Sequence, residues 1–220
     1  MRPETLQSII RFLIKAISRT TYIGLENVPA SGGVIIATNH LSQIDNALLF
    51  ANPARADITA LVTTKYQKHA SIRWIVNTAG VIWIDRDIAD FNAIRAAAQA
   101  LEQGRALGIA PEGTRSLSGE LLEGKPGTLL LAVKSGAPIV PVAIWGTEDA
   151  GRKMKGLRRP VMTVRFGQPF TIPPIARGEH AQALQHWTDE LMCRIAAMLP
   201  EQYRGFYKNH PRLKELLKAG

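Results

Sequence analysis

The sequence predicts an α/β fold: a layered domain with a largely buried mixed β-sheet flanked by helices, preceded by an N-terminal amphipathic helix. Three observations predict it. Short apolar and β-branched runs alternate along the chain with segments of helical apolar spacing. Hydrophobic residues make up 46% of the 220 residues and charged residues 20%, a balance that supports a buried core and argues against disorder. The single cysteine, Cys193, excludes an internal disulfide, so the fold is not a stapled scaffold and a reducing compartment is favoured.

Residues 1–20 read as a helix of their own, and 21–220 as the main domain. Leu6, Ile9, Ile10, Phe12, Leu13, Ala16 and Ile17 form a broad apolar face, while Arg11, Lys15 and Arg19 recur every four residues as a basic stripe. Two readings fit: a helix lying in a membrane interface with its cations toward anionic headgroups, or a helix packed on the protein's own core. No uninterrupted apolar run is long enough for a transmembrane helix. The first of these readings places the protein at the cytoplasmic face of a membrane, peripheral or monotopic.

Beyond the helix, strands are expected at Val34 to Ala37, Ile58 to Thr63, Val81 to Ile84, Ala106 to Ala110, Ile139 to Ile144 and Val161 to Phe166. Helices are expected at Asp45 to Phe50, His69 to Val76, Phe91 to Gln103, Thr128 to Lys134 and His180 to Leu199. Gly119 to Gly127 reads as an exposed loop leading into a helix. Two prolines in Ala137-Pro138-Ile139-Val140-Pro141-Val142 suggest an edge or sharply bounded strand.

Charge narrows the partners. Lys and Arg number 27 against 18 Asp and Glu, a net +9, which calls for an anionic partner: nucleic acid, lipid headgroups, or a phosphorylated substrate. Arg152 to Arg159 concentrates five cations in eight residues without an acid. Aromatic residues are only 6% and no groove-reading motif stands out, so nucleic acid is not the expected partner. No Cys/His cluster has zinc spacing.

Three segments carry chemistry, two directly after an expected strand and one running through a strand to its end. In Asn39-His40-Leu41-Ser42-Gln43-Ile44-Asp45, a continuous helix would set the His and Asp side chains about 140° apart. They meet only if the chain turns after His40 and Asp45 begins the next helix. Asp45 then holds one ring nitrogen and leaves the other as a base. No Gly-x-Ser-x-Gly elbow supplies a nucleophile, so the dyad points to a base that activates a substrate's own hydroxyl. Taken alone the spacing is common, and a solvated loop histidine is the plain alternative. Pro111-Glu112-Gly113-Thr114-Arg115-Ser116 offers a glycine for close backbone approach, two hydroxyls and an arginine fork suited to phosphate. Gly80 to Arg86 places Arg86 at the end of a strand, where it can meet the same anion.

Together with the Pro138–Pro141 segment, these stretches resemble the four blocks of the glycerolipid acyltransferase family, which includes the 1-acyl-sn-glycerol-3-phosphate acyltransferases. NHLSQID, GVIWIDR, PEGTRS and APIVPVAI stand in the family's order, and Trp83 replaces the usual Phe of the second block. The resemblance spans roughly residues 20 to 170. It implies transfer of a fatty acyl group from acyl-CoA or acyl-acyl-carrier-protein to the free hydroxyl of 1-acyl-glycerol-3-phosphate, giving phosphatidic acid for phospholipid biosynthesis. It also implies His40 as base and Asp45 as its orienting carboxylate. Arg86, Glu112, Gly113, Thr114, Arg115 and Ser116 would bind substrate, with Glu112 either orienting Arg115 or meeting a glycerol hydroxyl. No metal or bound cofactor is required, since the thioester is a co-substrate. Another acceptor, such as glycerol-3-phosphate, another lysophospholipid or a lyso-aminolipid, keeps the same chemistry. A basic nucleic-acid-binding protein is the more distant alternative.

Overall fold

The computed structural model describes residues 1–85, 88, 90–173, 175 and 180–219. Seven strands, β1 (Arg19–Ile23), β2 (Val34–Thr38), β3 (Ile58–Thr63), β4 (Ile82–Ile84), β5 (Ala106–Ile109), β6 (Ile139–Trp145) and β7 (Val161–Phe166), build one sheet in the order β1-β7-β6-β2-β5-β3-β4. All neighbours run parallel except β6 and β7. The sheet is mixed, as expected. Parallel neighbours need long crossovers, and these hold α2 (Gln43–Phe50), α3 (Ala70–Thr78), α4 (Phe91–Glu102) and α5 (Gly127–Ser135). Outside this set lie α1 (Pro3–Ile17), α6 (Ala150–Lys155), α7 (His180–Met198) and α8 (Pro211–Ala219).

β2 is the centre of the molecule and is buried along its whole length. Its alternate side chains feed two cores. Ile35 and Ala37 pack with Leu107, Leu129, Leu191 and Ile195 on the α5/α7 side, whereas Val34 and Ile36 pack with Leu48, Leu49, Val140 and Val142 on the α2 side. Both faces are covered, so β2 reads as a continuous apolar run rather than an alternating one. Because β2, β3, β4, β5 and β6 are parallel, their C-terminal ends lie along one edge, where the loops after them converge.

Several elements differ from expectation, α8 among them, which no expected helix covers. β1 begins at Arg19, which removes that residue from the helical stripe, and pairs with β7 at Thr21↔Thr163. Its RTTYI sequence alternates exposed and half-buried positions on the sheet's outermost strand, a weak signal beside the strong helical pattern preceding it. β6 is not an edge strand: it lies between β2 and β7. Pro141 is tolerated there because pairing with β7 is interrupted between the Val142↔Phe166 pair and the isolated Ile139↔Phe170 bridge, and the Pro141 carbonyl accepts the Gly167 N–H at 2.8 Å. The basic segment around Arg152 forms α6, whose last turn carries Arg152, Lys153 and Lys155.

α1 docks in an unexpected orientation. Gln7 is buried and its amide donates to the Phe50 and Arg55 carbonyls at 2.7 and 2.8 Å. Arg11 donates to the Ala51 and Asn52 carbonyls, both at 2.9 Å. Leu6 and Ile14 join this inner face. Ile9, Phe12, Leu13 and Ile17 point outward, with Phe12 71% exposed. Arg11 is thus not part of a solvent-facing stripe. Its guanidinium satisfies carbonyls at the end of α2, groups that a helix cannot pair internally.

Candidate active site

The site is built at the C-terminal end of β2. Asn39 anchors it: its side chain donates to the Ile144 carbonyl and accepts the Ile144 N–H, both at 2.8 Å, so a side chain continues the ladder to β6 where β2 stops. The chain then turns, and Ser42 caps α2. A capping box forms between Ser42 and Asp45. This local geometry resolves the spacing problem. Asp45 occupies the first turn of α2, and its Oδ2 accepts the Leu41 and Ser42 N–H groups at 2.7 Å each and lies 3.0 Å from His40 Nδ1.

Both side chains are held tightly. The Asp45 side chain is 1% exposed and that of His40 12%. With the carboxylate as acceptor, Nδ1 carries the proton and Nε2 keeps its lone pair. His40 lines a cavity of about 720 Å³ along with Thr38, Gly113, Thr114, Arg115 and Lys125. Its further walls are apolar, from Leu49, Phe50, Ile58, Ile72, Ile75 and Val76. Such a cavity suits a ligand with a polar end at His40 and a hydrocarbon remainder.

The segment after β5 packs directly on the dyad. Ser116 N–H donates to the His40 carbonyl at 2.8 Å. Glu112 is buried, and its Oε1 accepts the His40 N–H at 2.8 Å while Oε2 accepts the Leu122 N–H at 2.9 Å. Neither expected role of Glu112 is realised: both oxygens are committed to backbone, and it does not line the cavity. Burial pushes its carboxyl from an ordinary 4.5 up to about 7, with the two N–H bonds opposing and the Asp45 charge adding to the rise.

The remaining expected residues divide. Gly113, Thr114 and Arg115 border the cavity. Gly113 has φ +68°, the left-handed conformation that glycine adopts without strain. The Ser116 side chain is buried and shares a hydrogen bond with Ser118 at 3.1 Å, so it braces the turn rather than facing the cavity. Arg86 lies outside the described residues. Sequence reasoning missed Lys125 and the Leu122 N–H, because both come from a loop after the third block that only tertiary packing returns to the site. It also missed that α1 supplies Ile10 to the cavity wall.

A family model described as Acyltransferase matches residues 19–145. Among curated relatives, the 1-acyl-sn-glycerol-3-phosphate acyltransferase of Borreliella burgdorferi is 31% identical over 133 residues, 57% of this chain and 51% of the relative. The one from Bacillus subtilis is 25% identical over 170 residues, covering 77% of this chain and 83% of the relative. The solved structure of the 1-acyl-sn-glycerophosphate (LPA) acyltransferase from Thermotoga maritima superposes with a TM-score of 0.66 at 24% identity, over 86% of this chain and 79% of that one, a likeness of fold. The matched region spans about half the length of the first relatives.

Proposed function

The chain belongs to the acyltransferase family, and we propose that it moves a fatty acyl group from acyl-CoA or acyl-acyl-carrier-protein to the free hydroxyl of 1-acyl-glycerol-3-phosphate, forming phosphatidic acid. The observation that carries this reading is the His40 Nδ1–Asp45 Oδ2 contact at 3.0 Å at the polar end of a largely apolar cavity. As the acceptor oxygen bonds to the thioester carbon, its proton passes to His40 Nε2. Asp45 stabilises the resulting imidazolium. Collapse of the tetrahedral species breaks the C–S bond, and the proton on Nε2 leaves with the thiol. Arg115 and the Gly113–Thr114 backbone receive the acceptor phosphate.

A membrane surface is the natural source of such an acceptor. The outward arc of α1, Ile9, Phe12, Leu13 and Ile17, is apolar, and exposed Trp74 and Ile75 lie on α3, which packs against α1. Ile10 and Ile75 also line the cavity, so the apolar surface is continuous with the acyl-accepting walls. Exposed Lys15, Arg19 and the cations of 152–159 complement anionic headgroups. No helix among the described residues is long and apolar enough to cross a membrane.

Purified protein incubated with labelled acyl-CoA, and separately with the carrier-protein thioester, tests the reading against lysophosphatidic acid and a panel of other acceptors. Labelled phosphatidic acid from wild type and none from His40→Ala is the expected result. Product on another acceptor alone overturns the substrate. No product with either donor overturns the reaction.

A further inference from the structure

Lys125 comes from none of the four motif blocks, yet it reaches the polar end of the cavity. Its placement is over-determined. The Lys125 N–H donates to the Pro111 carbonyl at 2.8 Å, and the adjacent Gly124 N–H donates to the Tyr207 hydroxyl at 3.1 Å. Gly124 is pressed against α7 so closely that a Cβ there would lie 2.6 Å from Met192 Cγ and 2.8 Å from Thr188 Cγ2. The C-terminal segment therefore holds this loop against the turn after β5. From that anchor the Lys125 side chain crosses Gly113: a Cβ on Gly113 would lie 3.1 Å from its Cδ and 3.4 Å from its Nζ. Glycine at 113 thus leaves room for a lysine as well as satisfying the turn.

Three kinds of donor belong to exposed residues that line this end of the cavity, Thr114, Arg115 and Lys125. Among the described residues, the Lys125 ammonium, the Arg115 guanidinium and the successive N–H groups of Thr114 and Arg115 have no hydrogen-bond or ion-pair partner. Glu112, of the same turn, is taken up by its two backbone bonds, and Asp45 by His40 and the Leu41 and Ser42 N–H groups. Two cations and adjacent backbone donors beside a left-handed glycine make an anion receptor.

We propose that Lys125 binds the acceptor's phosphate together with Arg115. The inference rests on the acyl-transfer reading above. The acceptor's phosphate, rather than a donor phosphate, is the fitting anion because of reach. In a 1-acyl-glycerol phosphate only a few bonds separate the attacked hydroxyl from phosphorus. A hydroxyl at His40 Nε2 therefore brings its phosphate to the turn whose Ser116 N–H bonds the His40 carbonyl. The phosphates of an acyl-CoA stand a whole pantetheine arm away from the reacting carbon. A lysine suits this place as a point charge on a flexible stem that adjusts as the acceptor enters.

The test pairs kinetics with direct binding. Lys125→Met is expected to raise the KM for a soluble short-chain 1-acyl-glycerol phosphate by about tenfold or more, with the donor KM unchanged and Lys125→Arg recovering most of the loss. Calorimetric titration of the same lipid into His40→Ala, with and without Lys125→Met, reads the phosphate site without turnover, so it decides Lys125 even if acyl transfer fails on every acceptor. Weaker binding of the phospholipid, with binding of the matching 1-acylglycerol unaffected, supports the proposal. An unchanged acceptor affinity, a shift in donor KM instead, or equal weakening toward the phosphate-free lipid overturns it. Thermal melts of Lys125→Met and Lys125→Gln separate a folding defect from either outcome.

Discussion

The Glu112 carboxylate accepts the backbone N–H of His40 at 2.8 Å, so the third block of the sequence holds the first from behind. The other oxygen holds Leu122 of the following loop, the loop that carries Lys125. A buried carboxylate bridging two backbone donors is a positioning device: it sets where the His40 backbone stands from outside the cavity lining.

That bridge has a pH signature. Burial raises the Glu112 carboxyl from 4.5 to about 7, so between those values the folded protein keeps a proton that the unfolded chain has released. Its contribution to stability is full below about pH 4.5 and falls as pH rises through about 7. Glu112→Gln removes this dependence and turns an amide N–H toward one of two backbone donors, at a cost of about 1–3 kcal/mol. Urea melts from pH 4 to 8 should show the wild-type advantage shrinking as pH rises; a gap independent of pH would contradict the assignment.

Asp45→Asn should leave α2 capped by Ser42 but offer the ring a group that no longer enforces the Nδ1–H tautomer. Acyl transfer is expected to drop about a hundred- to ten-thousand-fold, comparable with His40→Ala. Single-turnover rates check this, with circular dichroism confirming the fold. Activity near wild type in Asp45→Asn would remove the dyad from the mechanism.

Asn39 acts as structure rather than chemistry. Asn39→Ala deletes both bonds to Ile144 and leaves buried backbone groups of β6 without partners. A loss of about 2–4 kcal/mol is expected, measurable by denaturant unfolding. A loss under half a kcal/mol would show that the ladder closes without it.

The docking of α1 separates membrane affinity from stability. Phe12→Ser with Leu13→Ser should weaken binding to anionic vesicles by about tenfold or more while the melting temperature holds, because these side chains face outward. Arg11→Gln should do the reverse, lowering the melting temperature with little effect on vesicle binding, since its guanidinium is spent on the Ala51 and Asn52 carbonyls. Vesicle co-sedimentation beside thermal melts reads both, and the opposite pattern would reverse the assignment of the two faces.

The main strands were legible because β2, β3, β5, β6 and β7 are short runs whose apolar content follows from burial. β1 was not, since an exposed outer strand carries little apolar signal and its pairing with β7 joins residues far apart in sequence. The helix at 3–17 was legible from its periodicity, but not which face it buries. An apolar arc can face a core or a membrane with identical spacing, and here the inner face is Leu6, Gln7 and Ile14, with Gln7 and the half-buried Arg11 bonding the carbonyls of 50–55.

By itself the sequence determined an α/β domain, the placement of His40 and the turn at 111–116 just after strands, and the order of four motif blocks, because these depend on local periodicity and on residue type. Only the tertiary structure decided what those residues touch. A parallel sheet gathers strand ends from distant parts of the chain onto one edge. Glu112 therefore met the His40 backbone rather than Arg115, Ser116 turned toward Ser118, and Lys125 reached Gly113 through a loop braced by α7. Such contacts depend on three-dimensional distance, which no spacing along the chain encodes.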